Sequence, residues 1–172
     1  PAPEPDSQTR LAGDLHAGSI VAWADLGDPP TITQQPEGKA PCLEEAAVLA
    51  VQTADPGLLT FQWSKDGLPL SDDGRILGAS SSKLIVNTVT AADSGIYRCR
   101  VATDAGCATE SDPATIAVHV GDYNCSGIVS VQDVFDFLAA WFAQLPRADL
   151  NASGTYTVED VLIFLDGFFA GW

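Results

Sequence analysis

A twelve-residue pattern occurs twice near the end of the chain, and it limits the fold more than any other feature. Asp122-Tyr-Asn124-Cys-Ser126-Gly127-Ile-Val-Ser130-Val-Gln-Asp133 returns 27 residues later as Asp149-Leu-Asn151-Ala-Ser153-Gly154-Thr-Tyr-Thr157-Val-Glu-Asp160. From Asp122 to Ala143 and from Asp149 to Ala170, 11 of 22 aligned residues are identical. Each copy carries oxygen-bearing side chains at positions 1, 3, 5, 9 and 12, with glycine at position 6. A chain that doubles back sharply at a glycine can wrap such oxygens around a hard cation, and Ca²⁺ takes about six to eight of them. The first loop offers Asp122, Asn124, Ser126, the Ile128 carbonyl, Ser130 and Asp133. The second offers Asp149, Asn151, Ser153, the Thr155 carbonyl, Thr157 and Asp160. The expected cofactor is two Ca²⁺ ions. With only two carboxylates per loop, the expected dissociation constants are about 10⁻⁵ to 10⁻³ M.

Each loop feeds a helix. Val134, Phe137, Leu138, Trp141 and Phe142 recur at helical spacing, as do Val161, Phe164, Leu165, Phe168 and Phe169. The two stripes are expected to pack together as a small core that bound ions would staple. Phe135, Trp141, Phe142, Phe168, Phe169 and Trp172 exceed what so small a core can bury, so some are expected to form a docking face.

A net charge of −15 argues against nucleic acids and anionic membranes as partners, because both require a basic face. No apolar run approaches the roughly 18 residues of a transmembrane segment. The start at Pro1, without Met, suggests a processed or partial chain. Cys42, Cys99, Cys107 and Cys125 lack zinc-like spacing, and in an exported protein their even number favours disulfides. There is no nucleophile elbow, phosphate loop or His-Glu-x-x-His motif, and His16 and His119 share no acid–base constellation. The expectation is a protein that is not an enzyme.

Three segments are expected: residues 1–28, 29–120 and 121–172. In the first, Gly18–Leu26 has the composition of one strand, closed by Pro29 and Pro30. It would pack on its own chain, be the remnant of an upstream domain, or add to a sheet edge of a neighbouring subunit. Residues 29–120 show short strands at regular spacing, the pattern of a β-sandwich. Candidates are Thr31–Thr33, Ala47–Thr53, Leu59–Trp63, Leu84–Val86, Tyr97–Ala102 and Thr115–Val120, with a tight turn at Asp66-Gly67.

Within that segment, Gln62-Trp63-x-Lys65-Asp66-Gly67 and Asp93-x-Gly95-x-Tyr97-x-Cys99 resemble an immunoglobulin-like domain of the intermediate type found in bacterial surface proteins. The resemblance implies a core tryptophan at Trp63 and a tyrosine corner at Tyr97. Val51 stands where that family places the partner of Cys99, so a disulfide is expected instead within the set Cys42, Cys99 and Cys107.

The tandem loops, each followed by Val-x-x-Phe-Leu, resemble a dockerin with EF-hand-like calcium loops. They are most similar to the C-terminal modules of planctomycete-type secreted proteins. Some of these end in Gly-Cys where this chain has Gly171-Trp172, which leaves Cys125 without that partner. The resemblance implies calcium-dependent folding and docking to a cohesin-like receptor or a cell-surface component. It places partner choice at loop positions 10 and 11, here Val131, Gln132, Val158 and Glu159. The expected product is a non-catalytic extracellular or cell-surface anchoring protein. The alternative is a fibre or matrix subunit that assembles with copies of itself through residues 1–28.

Overall fold

The computed structural model describes residues 28–54 and 57–170. The expected strand Gly18–Leu26, the rest of the N-terminal arm up to residue 27, and Trp172 lie outside these residues.

The strands are β1 (Ile32–Gln34), β2 (Ala47–Ala50), β3 (Gln52–Thr53), β4 (Leu59–Lys65), β5 (Leu68–Pro69), β6 (Ile76–Leu77), β7 (Lys83–Val86), β8 (Gly95–Thr103), β9 (Ala108–Glu110) and β10 (Ala114–Ile116). One sheet runs β10-β8-β4-β5, with β9 also paired to β8, and the facing sheet runs β2-β7-β6. β1 and β3 form a separate ribbon. All these pairings are antiparallel. The expected sandwich therefore forms, with alternating residues turned inward as the pleat requires.

The longest ladder joins β4 and β8 and sets Trp63 opposite Cys99. Both are fully buried, as are Leu49, Leu84 and Val86 from the facing sheet. The Trp63 Nε1–H donates to the Ser81 carbonyl at 2.8 Å, so the indole is buried without losing its hydrogen bond. The Tyr97 hydroxyl donates to the Asp93 carbonyl at 2.8 Å and closes the expected tyrosine corner. Asp93, itself buried, is clamped by both Arg75 guanidinium nitrogens at 2.7 and 3.0 Å. Asp66 and Gly67 both have positive φ, the geometry a two-residue hairpin loop needs to follow strand twist.

Two expected strands behave differently. Ala47–Thr53 is not continuous: at Val51 the chain leaves the β2–β7 ladder, and Gln52–Thr53 pairs with β1 instead. The stretch Thr115–Val120 leaves β8 after Ile116 and runs beside residues 39–42. There the Ala117 N–H donates to the Lys39 carbonyl and the His119 N–H to that of Pro41. This excursion brings the end of the sandwich to Cys42. The disulfide expected within Cys42, Cys99 and Cys107 is not what forms. Cys42 bridges to Cys125, 83 residues away, with Cα atoms 6.0 Å apart. Cys99 is a free thiol, fully buried in the core opposite Trp63.

Beyond the sandwich lie α1 (Val131–Phe142) and α2 (Val158–Ala170). Phe137 and Phe164 are fully buried and stack at 4.3 Å between ring centroids. Tyr123 meets both rings edge-on at 5.5 and 6.3 Å. α2 meets the end of the sandwich at two glycines, Gly121 and Gly167. A Cβ on Gly167 of α2 would lie 2.3 Å from Val120 Cγ2, and one on Gly121 would lie 2.5 Å from the Gly167 carbonyl oxygen. The buried residues of sandwich and helices form one continuous cluster, which includes Leu43, Val118, Tyr123, Phe137 and Phe164.

Candidate metal centre

The sequence repeat becomes a structural repeat in the main hydrogen bonds of the two loops. In the first loop, Asp122 Oδ1 accepts from the Ser126 N–H at 2.9 Å and Oδ2 from the Gly127 N–H at 2.7 Å. In the second, Asp149 Oδ1 accepts from the Ser153 N–H at 2.9 Å and Oδ2 from the Gly154 N–H at 2.7 Å. At position 12, Asp133 accepts from the Asn124 and Ser130 N–H groups, and Asp160 from those of Asn151 and Thr157. Gly127 and Gly154 sit at φ 83° and 78°, and Cys125 and Ala152 at 58° and 56°. Left-handed backbone at positions 4 and 6 turns the loop back on itself, and only the glycines accept it without steric cost.

Helix capping accounts for part of this arrangement. Ser130 is the N-cap of α1 and Asp133 its third residue, the two bonding reciprocally as a capping box. Capping explains positions 9 and 12. It does not explain positions 1, 3, 5 and 7, which lie outside the helix and converge on the same turn. Ser126 Oγ is 3.4 Å from Asp122 Oδ1 and 3.1 Å from the Ile128 carbonyl oxygen. Ser153 Oγ is likewise 3.1 Å from the Thr155 carbonyl oxygen. Oxygens this close fit the first shell of a cation held at about 2.3–2.6 Å.

The asparagines at position 3 are oriented. Asn124 Nδ2 donates to Asp136 at 3.0 Å and Asn151 Nδ2 to Glu159 at 3.2 Å. Each amide oxygen therefore faces its own loop, where it accepts from the Ser126 or Ser153 N–H at 3.0 Å. Asp136 also accepts from Gln132 Nε2, and the bonds from Asn124 and then Gln132 hold its carboxyl below the usual value. Sequence reading missed Asp136, which lies outside the twelve-residue pattern. Its equivalent in the second helix is Ile163, so Glu159 performs the task from another position. Gln132 and Glu159, expected to select a partner, are bonded to Asp136 and Asn151 respectively.

Asp122, Asp133 and Asp160 are at most 1% exposed. Among the described residues no ion pair reaches any of the four loop carboxylates. Burying carboxylates on neutral hydrogen bonds alone is costly, and a divalent cation offsets that cost. Among the described residues no three His, Cys, Asp or Glu side chains gather as a metal-ligand group. Each loop instead combines two carboxylates with amide, hydroxyl and carbonyl oxygens. This all-oxygen donor set suits Ca²⁺ and not a softer, thiolate- or imidazole-seeking metal.

The aromatic residues divide into two groups. Trp141 is half-buried, and its Nε1–H donates to the Thr157 carbonyl at 3.2 Å, which ties α1 to the second loop. Phe168 is half-buried against Phe164 at 5.8 Å. Both were expected on the inner stripes as well as among the docking candidates, and each lies half-buried against the helical core. Phe142 and Phe169, expected on the inner stripes as well as on the docking face, are 75% and 79% exposed. Val131 and Phe135 on α1 are exposed too, as are Val158 and Leu162 on α2. Positions 131, 135 and 142 of α1 match 158, 162 and 169 of α2, so each helix shows solvent the same apolar edge. Arg147 lies over the Tyr123 ring at 4.2 Å and donates to the Tyr123 carbonyl, a brace that no motif signalled.

Residues 29–102 match the family model described as "Immunoglobulin domain". Mouse hemicentin-1 is 34% identical over 96 residues, which are 55% of this chain and 2% of that protein. Among solved structures, the titin M3 domain is 22% identical with a TM-score of 0.46, over 54% of this chain and 98% of that one. The Ig1-2 module of the Drosophila receptor protein tyrosine phosphatase DLAR is 23% identical with a TM-score of 0.46, over 52% of this chain and 48% of that one. The sandwich is an immunoglobulin-like domain.

Proposed function

We propose that this chain is a non-catalytic extracellular anchoring unit whose two terminal loops each bind Ca²⁺ and thereby hold a pair of helices in shape to dock on a protein partner. The repeated hydrogen-bond pattern of the two loops carries this reading. Chance turns would not orient both asparagine amides, both first-position carboxylates and both middle hydroxyls alike. The matched apolar edges Val131–Phe135–Phe142 and Val158–Leu162–Phe169 supply the docking face, and the immunoglobulin-like domain presents it. The Cys42–Cys125 bridge supports an oxidising compartment, and weak calcium sites suit the high calcium of extracellular fluid. Among the described residues no helix is long and apolar enough to cross a membrane. The partner is a cohesin-like receptor or another surface protein.

Thermal unfolding tests the calcium part of this reading. In millimolar Ca²⁺ the helical transition should move up by several degrees and revert with a chelator, because an ion that binds only the folded state stabilises it by mass action. A helical signal and midpoint indifferent to calcium and chelator would overturn it.

A further inference from the structure

We propose that the Cys42–Cys125 disulfide makes the first loop the tighter of the two calcium sites and that the redox state of this bond sets its affinity. The inference rests on the calcium reading above and adds an inequality between loops that the repeat alone would make equal. Cys125 is position 4 of the first loop, and its counterpart in the second is Ala152, exposed and without a tether. Asp122 is buried, whereas Asp149 is half-exposed. Both loops are anchored at their start. Ala148 and Leu150 of the second are buried like Gly121 and Tyr123 of the first, and Asp149 makes the same two bonds as Asp122. Cys125 adds a covalent anchor to the sandwich that the second loop lacks. A loop ordered before binding loses less freedom when the ion arrives, so its affinity rises without any new ligand.

Cys125 is exposed, so the bridge is open to a dithiol reductant. One thiolate of that reductant attacks a bridge sulfur, and a mixed disulfide forms as the other cysteine leaves as a thiolate. The second reductant thiol then displaces the protein sulfur. Two electrons pass to the protein, the reductant closes its own disulfide, and Cys42 and Cys125 end as thiols. The first loop then keeps its oxygens but loses its anchor at position 4.

The test is calcium calorimetry on the full chain, oxidised and after dithiol treatment, with Cys42→Ser/Cys125→Ser as a permanently open form. Asp122→Ala and Asp149→Ala assign the two binding steps. The expected result is two sites in the oxidised chain, the tighter at the first loop. Opening the bridge should weaken that site roughly tenfold and leave the second within a factor of two. Unequal sites in the other order, or a first site unchanged on opening, would overturn the inference while the calcium reading stands. Equal weakening of both sites would also overturn it, since that marks loss of the fold. An oxidised chain that binds no calcium would overturn both.

Discussion

Cys99 lies opposite Trp63 in the β4–β8 ladder, fully buried, and no bridge joins it to the facing sheet. Burial pushes its thiol up from about 9 to about 12. Burial likewise pushes the Tyr123 hydroxyl up to about 12 and the Tyr97 hydroxyl higher still, Asp93 adding to the second. All three groups stay protonated in the fold, whereas in the unfolded chain they ionise near their ordinary values. Above pH about 9 the unfolded state therefore holds fewer protons than the native one, and stability falls with rising pH. Urea unfolding at pH 7.5, 8.5 and 10.5 should give similar midpoints at the first two and a clearly lower one at the third. In the native protein below pH 9, Cys99 should also resist alkylation until the chain unfolds.

At the scale of elements, the meeting of α2 with the end of the sandwich depends on a missing side chain. Alanine would favour the helix at position 167 by about 1 kcal/mol, but its Cβ would lie 2.3 Å from Val120 Cγ2. Gly167→Ala should therefore destabilise the protein by about 1–3 kcal/mol, measured by denaturant titration, against the direction helix propensity alone predicts. That contact was not legible in the sequence, because nothing near Gly167 says what crosses it. The Asp66-Gly67 hairpin was legible, because both positions need positive φ and the residue types announce it. The break at Val51 was hidden. Ala47, Leu49 and Val51 alternate without interruption and are all buried, so periodicity continues through the point where the chain changes partners. Trp141 and Phe142 are adjacent aromatics with opposite fates. One is tied to the Thr157 carbonyl and the other faces solvent, a division that composition could not make.

At the scale of the whole molecule, the immunoglobulin-like domain and the helical loops are joined by a shared core, a glycine contact and one disulfide. The loop pattern was fully legible, since glycine at position 6 and oxygens at 1, 3, 5, 9 and 12 are local requirements. The bridge was not: sulfurs 83 residues apart meet only because residues 117–119 run beside residues 39–42. In a chain-entropy account, closing a loop of that length is worth about 4.5 kcal/mol, large enough to hold a small helical pair in place. The loops themselves are held by hydrogen bonds on buried carboxylates, and calcium is what we propose completes them. Native mass spectrometry of the oxidised chain, titrated with calcium, tests this most directly. The account predicts two ions for the unaltered chain and one for either Asp122→Ala or Asp149→Ala. No specific ion on the unaltered chain, or two on both variants, would contradict it.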